Sequence, residues 1–163
     1  MTLEDEFLKD MQKRFNWAFV RITTALGQLD DKQLWYRPSP TSNSVGIILQ
    51  HLSGNLNQWI LEALGGREYK RNRPMEFEDK HQKSKQDFAR TFSQLATDVQ
   101  ETVTKVDPDS LLSSRRIQDS DQTVFSALML AITHMELHTG QILFIAKMML
   151  NEKYVEAKRP ISP

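Results

Sequence analysis

A chain of 163 residues without a cysteine is long enough to bury one sizeable core, and it offers no thiol for a disulfide, a thiolate metal site or a nucleophile of its own. Lys and Arg number 21 and Asp and Glu also number 21, so the broad cationic field that draws nucleic acid is not expected. No uninterrupted apolar run reaches the roughly 18–20 residues of a membrane span and the acidic start MTLEDEFLKD lacks a signal-peptide pattern, so the expectation is a cytoplasmic protein with no nucleic-acid or membrane partner, in which any metal is held by His, Asp or Glu.

From Thr2 to Leu29 the residues Phe7, Leu8, Met11, Phe15, Ala18, Phe19, Ile22, Leu26 and Leu29 recur at three- and four-residue steps. That spacing is the stripe of an amphipathic helix, with Thr2 and Asp5 as its cap. Asp30 to Asn43, with Pro38 and Pro40, reads as a connection. A second helix begins near Asn43 or Ser44, presents Val45, Ile48, Leu49, Leu52, Leu56, Trp59 and Ile60, and stops at Gly65-Gly66. Arg67 to Lys83, dense in charge and interrupted by Pro74, reads as a long crossover. A third helix starts at Ser84, where Ser84 and Asp87 match a capping box, buries Phe88, Phe92, Leu95, Val99 and Val103, and ends before Asp107-Pro108. After a polar linker to Asp121, the fourth and most apolar helix runs to about Leu150. Four long helices with no credible strand predict an all-α fold, an up-and-down four-helix bundle forming a single domain over 1–163.

The fourth helix carries His134 and His138, one turn apart on one face. On the helical wheel Ala127, Ala131, Ile142 and Ile145 all fall within about 40° of His138, so the pair faces the core stripe. Glu136 falls on the opposite side, which sets aside a paired Glu-x-x-His carboxylate site. His51 borders the stripe of the second helix, at its edge. Two imidazoles on a buried face need partners, because an unpaired buried polar group costs about 1–3 kcal/mol; a shared cation would satisfy both, with His51 as the third candidate ligand. The same histidines could also be ordinary core residues hydrogen-bonded within the bundle. His81, in a charged run, reads as solvated; Met129, Met135, Met148 and Met149 read as core filler, and Trp17, Trp35 and Trp59 as packing. No Asp or Glu lies on the predicted metal-facing stripes, so no general base is apparent. Met129, Leu130, Ile132, Leu137, Leu143 and Phe144 lie outside the histidine face of the fourth helix. With Gly140 permitting close approach, they predict a homodimer.

The string from His134 to Lys147, HMELHTGQILFIAK, resembles the H-x-x-x-H-x-G-Q-I motif of the DinB/YfiT-like superfamily. The segment Ser42 to Leu52, SNSVGIILQHL, resembles its second-helix motif, and Leu34 to Pro38 resembles the lead-in. The likeness runs helix for helix over nearly the whole chain. It implies a four-helix bundle holding one divalent metal ion, commonly Zn²⁺ or Ni²⁺, on His51, His134 and His138. Characterised members include thiol S-transferases that use bacillithiol or glutathione and a mycothiol-dependent isomerase, while many others are uncharacterised. The resemblance thus implies a metal-dependent enzyme acting on a small-molecule substrate, a thiol S-transferase or a hydrolase, in which the cation activates water or the thiol of a low-molecular-weight cosubstrate. A non-catalytic metal-binding or stress-associated bundle is the alternative. Asn55, one turn beyond His51, and Gln141, beside His138, are the nearest candidates to orient ligands or substrate.

Overall fold

The computed structural model describes residues 2–80 and 82–159; the expectation for His81 falls outside them. Thr2 opens helix α1 (Leu3–Gln28) with the predicted reciprocal cap: its hydroxyl accepts the Asp5 N–H at 3.2 Å, and the Asp5 carboxylate accepts the Thr2 N–H at 2.8 Å. A second capping box, Asp30 with Gln33, starts a single turn, α2 (Asp31–Leu34), inside what the sequence presents as a plain connection. Ser44 caps α3 (Val45–Leu56), which continues through a π-helical turn (Asn57–Glu62). The helix stops at Gly66, whose φ of +69° lets the Arg67 N–H reach back to the Leu61 carbonyl at 3.0 Å. The crossover contains α4 (Arg73–Glu76), with Pro74 in its first turn. Helix α5 (Lys85–Thr104) begins at the Ser84–Asp87 capping box, and α6 (Val124–Leu150) begins at Thr123.

Every member of the predicted stripes of α1, α3 and α5 is buried except Phe7 and Trp59, which are half-buried. Met135 is in the core, but Met148 is half exposed and is not core filler. Helix α1 packs on α5 and α6, and α3 packs on the same two helices. The four long helices therefore form an all-α bundle in which α1 and α3 stand diagonally opposed, as do α5 and α6. This order puts α3 and α6, the two histidine-bearing helices, side by side.

One element departs from the all-helical expectation. The linker before α6 folds into an antiparallel hairpin of β1 (Ser114–Ile117) and β2 (Ser120–Thr123), with Gln118 at φ +54° in its turn. Only Ile117 among its strand residues is buried, so no apolar alternation marked it. By length and composition the stretch Val124–Lys153 could cross a membrane. In the fold that apolar surface divides between the core and an exposed stripe of Leu130, Leu137, Phe144 and Met148.

Candidate metal centre

His51 lies two turns into α3, and His134 and His138 lie on the adjoining face of α6. The Nε2 atom of His134 stands 3.0 Å from Nε2 of His51 and 3.1 Å from Nε2 of His138, and one ligand atom from each residue can be chosen so that all lie within 4.8 Å of one another. Two imidazole nitrogens bound about 2.0–2.1 Å from one tetrahedral Zn²⁺ would be separated by roughly 3.3 Å. The two separations from His134 are within a few tenths of an ångström of that spacing. His51 is fully buried rather than at an edge, because the crossover lies over it: the Phe77 ring is 5.0 Å from its imidazole, centroid to centroid.

Proton bookkeeping shows what the cluster can accept. Nδ1 of His51 is 2.9 Å from the Glu76 carboxylate, and Nδ1 of His138 is 2.7 Å from the Gln141 side-chain oxygen. An oxygen that only accepts requires the facing Nδ1 to carry the hydrogen, which leaves Nε2 of each neutral ring with a lone pair. Two lone pairs thus point at the Nε2 of His134, whose own Nδ1 is buried without a partner among the described residues. A divalent cation fits this donor set: it would accept all three lone pairs, and three neutral ligands would leave its charge intact and coordination positions open.

Burial lowers the pKa of all three rings, since it disfavours the imidazolium form. For His51 the Glu76 carboxylate opposes that shift, and for His138 the Gln141 hydrogen bond opposes it. His134 has no such opposition and is lowered to about 4, by burial first and then by His138, His51, Arg71 and Arg73. At neutral pH the three donors are uncharged and competent to bind.

Glu76 was not legible as part of this site, because it lies in the charge-dense segment that reads only as a long crossover. Its carboxylate is buried and gripped from the far side by Arg71, through Nε at 2.6 Å and Nη2 at 2.8 Å. The 3.4 Å contact between Arg71 Nη2 and His51 Nδ1 joins two donors that share one carboxylate oxygen. Arg71 also donates to Gln58 at 3.1 Å, and Gln58 accepts from Gln118 at the hairpin tip at 2.7 Å. The one available signal was Gly54, a glycine inside a helical pattern three residues beyond His51, which marks a close approach. Gln141 is in hydrogen-bond contact with His138. Asn55 is buried, but among the described residues its side-chain oxygen meets no partner and it bonds to none of the three histidines. Two clefts of about 530 and 500 Å³ run along α1 and α6 and are lined by none of these histidines.

A family model described as protein of unknown function (DUF1572) matches residues 2–160. No curated protein matches the sequence. Among solved structures, the fold is similar to a DinB-like protein from Bacillus cereus ATCC 10987, with 17% identity, 98% of this chain and 97% of that chain covered, and a TM-score of 0.65. It is also similar to a DinB-like protein from Bacillus subtilis, with 14% identity over 93% of this chain and 99% of that one and a TM-score of 0.71. A conserved protein from Enterococcus faecalis is alike to the same degree, with 15% identity, 92% and 98% covered, and a TM-score of 0.71. At these identities the likeness is one of fold.

Proposed function

Since the chain belongs to the DUF1572 family, a DinB-like family of unknown function, we propose from its own site that it is a divalent-metal-dependent enzyme, a thiol S-transferase in preference to a hydrolase. The observation that supports this reading is the convergence of three Nε2 atoms, two of them fixed as lone-pair donors by oxygen atoms behind them. Zn²⁺ or Ni²⁺ held there would draw the pKa of a bound water toward neutrality and would deprotonate a bound thiol outright. The preference for a thiol follows from the surrounding groups. Hydrolysis profits from a free carboxylate as general base, and the carboxylate found beside the centre, Glu76, is occupied by Arg71 and His51. A thiol needs no such base. In the transfer an S–C bond forms to the electrophile, the bond to its leaving group breaks, and the thiol proton leaves to solvent. The protein has no cysteine, so the thiol is that of a small cosubstrate.

Elemental analysis of purified protein beside a His134→Ala, His138→Ala variant tests the centre. About one divalent ion per chain in the wild type and its loss in the variant is the expected result; equal, near-zero metal in both refutes it. Thiol consumption with a panel of electrophiles then tests the reaction, and a metal-loaded protein that hydrolyses esters or amides without consuming thiol would favour the hydrolase. We further propose a homodimer through the exposed stripe of α6.

A further inference from the structure

We infer that Glu76, clamped by Arg71 and seated on Gly54, is the positioning residue of the metal centre, and that it acts through His51. This rests on the metal-centre reading above and adds to it the group that orients one ligand. The carboxylate of Glu76 lies where a side chain on α3 would otherwise be. A Cβ built on Gly54 would stand 2.0 Å from Glu76 Oε1 and 2.7 Å from its Cδ, an impossible overlap. Position 54 therefore admits glycine alone while Glu76 is in place.

Arg71, Gln50 and His51 hold the seat. Arg71 holds both carboxylate oxygens, a bidentate grip that fixes the plane of the group. Gln50, the neighbour of His51 on α3, donates to the backbone carbonyls of Glu76 and Glu78 at 3.2 and 3.0 Å, which ties α4 to the helix that carries the ligand. What remains free on the carboxylate faces His51 Nδ1 at 2.9 Å. A carboxylate behind a ligating imidazole fixes its tautomer, holds the ring in orientation and raises the basicity of the opposite nitrogen. A solvated surface glutamate would require none of this. The pair is buried on both sides, with side-chain exposures of 6% for Arg71 and 8% for Glu76, and a buried charge is tolerated only when paired and hydrogen-bonded.

The test compares wild type with Glu76→Gln, Glu76→Ala and Gly54→Ala, using Gly27→Ala as the control because a Cβ there meets nothing within 4 Å. Two readouts are used. The first is the ring-nitrogen NMR spectrum of the metal-free protein, which reports the His51 tautomer. The second is titration with Co²⁺ alone, following both affinity and the visible spectrum, with thermal midpoints recorded alongside. The expected wild-type tautomer carries its hydrogen on Nδ1. Co²⁺ affinity should fall about 10–100-fold in Glu76→Ala and Gly54→Ala, with an altered visible band, and by less in Glu76→Gln, whose amide oxygen can still accept from Nδ1. Gly54→Ala should lose affinity although every ligand and every charge is retained. A merely structural role would lower the thermal midpoints without this graded order. If wild type takes up no cobalt, the metal reading and this inference both fall. If the variants match wild type in affinity, spectrum and tautomer, this inference falls alone.

Discussion

Of the three clustered histidines, His134 is the one whose second nitrogen meets no partner among the described residues, and its chemistry yields a pH dependence. Its pKa is lowered from 6.5 to about 4 in the folded protein, chiefly by burial, so between those values the unfolded chain binds the proton and the folded chain does not. Stability then rises with pH across that window. The metal-free protein should keep the full contribution above about pH 6.5 and lose it progressively as pH falls toward 4, with His51 and His138 adding in the same direction because their pKa values are lowered too. Denaturant unfolding of metal-free protein at several pH values between 7 and 4.5 measures the slope, and His134→Ala should flatten it; a slope unchanged by that substitution would contradict the assignment. At this scale the sequence showed the clustered histidines well and the groups behind them poorly. Two histidines four apart on an apolar face announce themselves through helical periodicity. Glu76 looks like Glu78 or Glu68 until the fold places it behind His51, since nothing in its neighbourhood repeats. Gln141 was visible because it shares a helix with His138 and lies three residues on, whereas Asn55, chosen by the same logic, faces no histidine.

Elements became legible in proportion to their length. A helix of 20 residues or more repeats its stripe often enough to be read, and its capping boxes locate its start, as Thr2 and Ser84 do. The four-residue helices α2 and α4 cannot show a period of 3.6, and the hairpin hides because seven of its eight residues are polar. Glycine positions separate packing from propensity within these elements. A Cβ on Gly46 would stand 2.9–3.0 Å from three atoms of the Trp35 ring. That ring cannot shift freely, since its Nε1 donates to the Lys83 carbonyl at 3.0 Å and it packs on the Phe88 ring, 6.0 Å between centroids. Gly46→Ala should therefore destabilise by roughly 1–3 kcal/mol of overpacking, less up to about 1 kcal/mol gained in helix propensity. Gly27→Ala in open space should stabilise by about 0.5–1 kcal/mol. Parallel urea titrations of the two variants decide it: opposite signs are expected, and a stabilised Gly46→Ala would show that Trp35 is not held as described.

At the scale of the whole molecule, the diagonal placement of α1 against α3 lets α6 lie beside α3, with one side of α6 in the core and another facing outward. Leu130, Leu137, Phe144 and Met148 fall within about 40° on the helical wheel and extend over roughly 27 Å of its axis. Leu137 and Phe144 are 62% and 66% exposed. The sequence already marked Leu130, Leu137 and Phe144 as lying off the histidine face, but it grouped them with Ile132, which the fold buries. An exposed stripe of large apolar side chains on a charged, neutral-overall surface loses free energy by pairing with its own copy, because a two-fold axis across one helix face presents the same residues from both sides. Gly140 borders this stripe with open space above it, so two helices could approach closely there. Sedimentation equilibrium at tens of micromolar should therefore find a dimer, and Leu137→Glu with Phe144→Glu should convert it to a monomer with unchanged metal uptake, because both side chains are exposed off the histidine face of α6. A monomeric wild type would refute the dimer, and a dimer indifferent to both substitutions would move the interface elsewhere; either leaves the stripe without this role.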